Sequence, residues 1–197
     1  NSITVDSVST SADSSGLDVD ADSTVSSLSV AHITPVAIAG GSSLSGAITV
    51  TAGSIKLAET GTLASSISMS GGTTLEADNS LTVSGTLTHT GDITIDVAET
   101  KTLTYSGTAI SLGANTLTLS GGGSLVSGGL TLNDVSSKLL LNSITVDSVS
   151  TSADSRSGGL DVDADSTVTS LSVAHITPVS IAGGSSLSGA ITVTAGS

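Results

Sequence analysis

The residues best suited to chemistry are alternating carboxylates, Asp18-Val-Asp20-Ala-Asp22, and their near-copy at Asp161, Asp163 and Asp165. In an extended strand alternate side chains point to one face about 7 Å apart, and hard oxygen ligands of this kind suit Ca2+. These six aspartates are the candidate metal ligands. The competing reading is a solvated acidic edge that keeps a β-rich chain soluble. A helix-flanked calcium loop requires Gly at its sixth position and a bidentate Glu at its twelfth. Counted from Asp18, those places hold Ser23 and Ser29, and no helical pattern flanks them. The glycine-rich nonapeptide of calcium-binding β-rolls is absent too, and no cofactor is required elsewhere.

Thr-x-Thr pairs stand at Thr49/Thr51, Thr86/Thr88, Thr102/Thr104 and Thr116/Thr118. A ranked array of such pairs would suit ice binding, but their uneven spacing along the chain matches no constant repeat. Threonine's preference for strands accounts for them equally well. His32, His89 and His175 have no Cys or second His at ligand spacing, and His32 and His175 occupy the same place in a repeated segment. They read as hydrogen-bonded turn histidines.

The catalytic inventory is thin. Carbohydrate-cleaving sites need converging carboxylates with cationic and aromatic neighbours. Here Lys56, Lys101 and Lys138 are scattered, Arg156 lies in a turn, and Phe and Trp are absent. No GxSxG elbow and no phosphate-binding loop appears. The chain reads as a non-enzyme. A net charge of −13 opposes nucleic-acid binding, which rests on Lys and Arg meeting phosphates. It also leaves no basic patch for anionic membranes. No apolar run approaches the roughly 18 residues of a spanning helix. The absence of cysteine fits an exported protein and equally a non-redox cytosolic one.

The elements that must carry these residues are short strands. ITV, IKL, LTV, ITIDV, LTY and LTL runs alternate apolar with small polar residues, bounded by Gly clusters. Period two marks a strand with one buried face, and no 3.6-residue pattern competes with it. Low charge and recurrent Leu, Ile and Val argue for a folded chain rather than a disordered one. With one Tyr and no Phe or Trp the interior must be narrow.

The opening stretch, 1–54, begins again at Asn142 and runs to Ser197. Ser26 becomes Thr169, Ala37 becomes Ser180, and two residues are added near Arg156. The insertion places solvent-facing turns at 13–16 and 154–159. Leu17, Leu44, Leu63, Leu81, Leu103, Leu117, Leu139 and Leu160 mark out seven uneven steps, the longest from Leu17 to Leu44 and the shortest from Leu103 to Leu117. Without the insertion these steps span one repeat unit, so the unit divides into seven turns of about 20 residues each. That is the size of one turn of a parallel β-solenoid, which buries its apolar face only against its neighbours. Tandem immunoglobulin-like β-sandwiches are the alternative, and would require units near 100 residues and usually a buried aromatic. The chain thus reads as all-β, one continuous solenoid over 1–197, with 1–141 a full repeat and 142–197 the start of the next. Like would stack on like, Ser on Ser, Thr on Thr, and Asn115 against Asn133. Neither end shows a cap, so the segment is expected to continue into further repeats or to dock end to end.

GTLAS at 61–65, SGTLTHTGDITIDV at 84–97, SGAITVTAGS at 45–54 and LTLSGGGSLVSGGLTLN at 117–133 carry a resemblance. They resemble the Gly/Thr/Ser-rich β-solenoid repeats of secreted bacterial proteins: the filamentous-haemagglutinin-like and autotransporter-passenger class, and giant repetitive surface proteins. The resemblance implies an exported, right-handed parallel β-helix. The expected function is a structural repeat segment of a long extracellular bacterial fibre or surface filament. The alternative is the stalk of a large adhesin whose binding tip lies outside this segment. Expected partners are further copies of the repeat in cis, with end-to-end or lateral self-association.

Overall fold

A computed structural model describes residues 4–10, 17–19, 24–32, 36–38, 43–44, 46–57 and 61–194. Its described residues form strands of two to five residues and no helix. All strand pairs are parallel, and each sheet joins every third strand in sequence. A chain can do this only by coiling. Three short strands make one turn, and each then lies against the strand three further along. The result is a three-faced β-solenoid, and the wholly parallel pairing excludes antiparallel sandwiches.

Period two in the sequence becomes inside and outside in the coil. In Thr73–Ala77 and Ile93–Val97 the first, third and fifth residues are buried and the others partly exposed. Register stacks the inward residues in columns. On the third face Ile55, Leu75, Ile95, Leu119, Leu141 and Val162 lie one above another, each 1% exposed or less. Burying such side chains contributes about 1.5–3 kcal/mol apiece, but only when a turn lies on both sides.

The unequal leucine steps have a geometric cause. Leu17, Leu117, Leu139 and Leu160 sit on the third face, whereas Leu44, Leu63, Leu81 and Leu103 sit on the first. The long step from Leu17 to Leu44 spans one turn plus a move between faces, and the short step from Leu103 to Leu117 spans two-thirds of a turn. The strands holding Leu17 and Leu160 are seven turns apart by strand order. A mean turn of about 20 residues, as expected for such solenoids, therefore holds. Individual turns differ in length, the one from Leu17 to Val36 being shorter than the one from Ile95 to Leu119.

Corners between faces need close backbone approach. At Gly85 a Cβ atom would press against the Ser65 carbonyl oxygen of the preceding turn. Gly46 and Gly189 occupy the same kind of corner, where a Cβ would meet the carbonyl oxygens of Ser26 and Thr169. The corner at Arg156 is a turn with Arg156 and Ser157 exposed, but Ser155 within it is buried and Gly159 is already strand and buried. The expected turn therefore ends at 158, one residue early, and its counterpart at 13–16 lies outside the described residues.

Candidate functional surface

A solenoid presents its outward residues as columns, so any site must be assembled from turns. Among described strands, every Asp, Glu and Lys lies on the third face: Asp18, Lys56, Glu76, Asp96, Lys138, Asp161 and Asp163. The described strands of the first and second faces carry none. On the second face the outward position is Ser or Thr in every described strand, from Ser9 to Thr88 and from Ser111 to Thr192. One strand face is therefore acidic and two are uncharged. The acidic face expected at the aspartate run thus extends along the coil, and the sequence carried that wider signal: the charged strands IKL, LEA, IDV and LDV each occur as one strand of a turn.

The aspartate candidates separate on this surface. Asp161 and Asp163 alternate outward along Gly159–Asp163, with Asp161 between Leu140 and Ser180 and Asp163 beside Asn142. Asp165 leaves the strand on a turn in which Ala164 and Asp165 have φ of 46° and 59°. Asp18 lies in the strand Leu17–Val19, while Asp20 and Asp22 lie outside the described residues. Among the described residues no three His, Cys, Asp or Glu come together as a metal-holding group.

Charges that do meet form pairs. Lys56 Nζ lies 2.6 Å from Asp78 Oδ2, and this hydrogen bond raises the lysine pKa, aided by the Asp78 charge. Asp154 accepts the backbone N–H of Ile176 at 3.0 Å and Nε and Nη2 of Arg156 at 3.1 and 2.9 Å. Those contacts, the Ile176 N–H foremost, hold its carboxyl below the usual range. His175 Nδ1 stands 3.7 Å from the same carboxylate. The inserted arginine thus pins the corner that it enlarges.

His89 places Nδ1 3.0 Å from the Gly91 carbonyl oxygen and Nε2 3.1 Å from that of Ser111. A neutral imidazole carries one N–H, so the ring donates to one of these two carbonyls at a time. The Thr-x-Thr pairs scatter over all three faces, with Thr49 and Thr88 on the second, Thr102/Thr104 on the first and Thr116/Thr118 on the third. They make no flat array.

Hydroxyls do stack along the axis. Thr131 Oγ1 lies 3.2 Å from Ser150 Oγ, and Thr167 Oγ1 lies 3.1 Å from Ser186 Oγ. The asparagines do not stack. Asn133 Oδ1 accepts the Gly113 N–H of the turn before it, and Asn115 Nδ2 donates to the Leu112 carbonyl within its own turn. The two hold different register positions, Asn133 just past the strand paired with Ile110–Ser111 and Asn115 just before the strand paired with Lys138–Asn142. No family model, curated protein or solved structure matches the chain.

Proposed function

We propose that this chain is a structural repeat segment of a long extracellular bacterial fibre or surface filament, whose work is length and stiffness rather than catalysis. One observation carries the reading. The strands that hold the repeated leucines Leu17 and Leu160 are seven turns apart by strand order, and the strands between them pair only in parallel. Ile48 and Val50, 0% exposed, lie beneath Ile67 and Met69 of the next turn, so each turn supplies the cover for the one before it. A repeat built this way adds length to a coil.

Whole turns per repeat let copies join without a phase error. With strands about 4.8 Å apart, seven turns advance the axis by roughly 34 Å per repeat. The acidic face and the −13 net charge keep such a rod soluble. The Gly/Thr/Ser phrasing shared with secreted solenoids, and the absence of oxidisable cysteine, support placement outside the cell.

Immunogold labelling of unpermeabilised source cells, with antibody raised against this chain, tests the reading. Label along fibres beyond the cell envelope is expected. Label absent from intact cells but present in thin sections through the cell interior would overturn it.

A further inference from the structure

Between positions 61 and 194, each strand with a turn above it pairs with the equivalent strand of that turn, with one exception. Leu87–His89 has no backbone ladder to Ile110–Ser111, and the second face is divided there. Elsewhere on this face the first N–H of a strand donates to the next turn, as Ile67 does to the Thr86 carbonyl at 2.7 Å and Leu130 to that of Ser148 at 3.0 Å. Leu87 N–H instead donates to Tyr105 Oη at 3.0 Å. The Ser111 carbonyl is met not by backbone but by the His89 ring, at 3.1 Å. Two side chains therefore splice a gap that backbone closes everywhere else along this stretch, Tyr105 as acceptor for Leu87 and His89 as donor to Ser111 in the tautomer with its proton on Nε2.

The reason for the gap is turn length. The turn that leads from Ile95 to its register partner Leu119 is longer than the one that leads from Leu75 to Ile95. A longer turn is a wider one. The single tyrosine of a chain without Phe or Trp sits in it, with Tyr105 3% exposed. Gly107 makes room for the ring, since a Cβ there would collide with the tyrosine oxygen. Filling is incomplete, and an apolar void of about 10 Å3 remains beside Leu87, Tyr105 and Ile110.

We propose that this splice is a release joint: the interior step at which the rod opens first, before the fully laddered turns that follow it. Local opening follows sparse backbone pairing, and this is the one step between positions 61 and 194 at which a strand lacks its ladder to the next turn; the void lies against it. In a fibre under tension such a joint would yield ahead of its neighbours. That purpose rests on the fibre reading, whereas the joint itself does not.

Hydrogen exchange read by mass spectrometry on the full chain tests it. Peptides covering 84–90 and 106–112 are expected to exchange faster than those covering the intact steps at 117–150. Tyr105→Phe keeps the ring and removes the acceptor, and should speed exchange at 84–90 about tenfold, with little change at 117–150. Ser150→Ala, which removes a hydroxyl contact across an intact step, should leave 84–90 unchanged. Equal protection throughout would overturn the proposal. So would a Tyr105→Phe effect that is absent or uniform along the rod.

Discussion

At the residue scale, position relative to the tube axis decides what each side chain is worth. Leu119 and Ile95 are 0% exposed, with a neighbour above and below in register, so neither site can collapse when truncated. Leu119→Ala is expected to cost about 2–5 kcal/mol, measured by chemical denaturation. Glycines divide the same way. At Gly85 a Cβ would press on the Ser65 carbonyl, whereas at Gly183 it would meet nothing within 4 Å. Gly85→Ala should cost about 1–3 kcal/mol and Gly183→Ala close to nothing, a contrast that thermal melts of the pair would check.

The paired charges give a pH signature. Asp154 has a lowered carboxyl pKa, chiefly through the Ile176 N–H and then Arg156. Its contribution is therefore complete above the unfolded carboxylate value near 3.9 and is lost as pH falls through the lower folded value. Lys56 is raised by Asp78, so its contribution is complete below the unfolded lysine value and disappears as pH rises through the folded one. Melting temperature against pH should show the wild type above Asp154→Asn at neutral pH, with the gap closing only in strong acid. A gap that closed near pH 6 would contradict the assignment. As for the aspartate triplet, a strand holds Asp161 and Asp163 while a turn carries Asp165 aside. Calorimetry with millimolar Ca2+ tests the metal reading of this run: a saturable heat with a raised melting temperature would support it, and neither would leave the solvated acidic face.

At the scale of elements, a strand is stable only through its register. The Thr131–Ser150 hydroxyl contact spans an intact step of the second face. A double-mutant cycle with Thr131→Val and Ser150→Ala should return a coupling of about 0.2–1 kcal/mol. A coupling of zero would mean that the hydroxyl column is solvated rather than bonded.

The strands themselves were legible because alternation survives even in three residues: ITIDV at 93–97 and LTV at 81–83 lie where the pattern puts them. The division into three faces was not. Leu103 and Leu117 look alike in sequence, yet one lies on the first face and the other on the third. Nothing local tells a corner from a turn boundary. The splice at Leu87 was invisible for a related reason. It depends on a tyrosine far along the chain, brought into reach by coiling.

At the scale of the whole molecule, three faces of unequal character wind around one aliphatic column. Among the described strands charge is confined to one face and hydroxyls line the outward positions of another, and the second copy of the repeated segment enters seven turns after the first. If the repeat adds length and nothing else, electron microscopy of chains concatenated from one, two and four copies of 1–141 is the most direct test. A uniform thin rod that lengthens by roughly 34 Å with every added repeat is the expected result. Beads on a string, or a width that grows while the length does not, would contradict it.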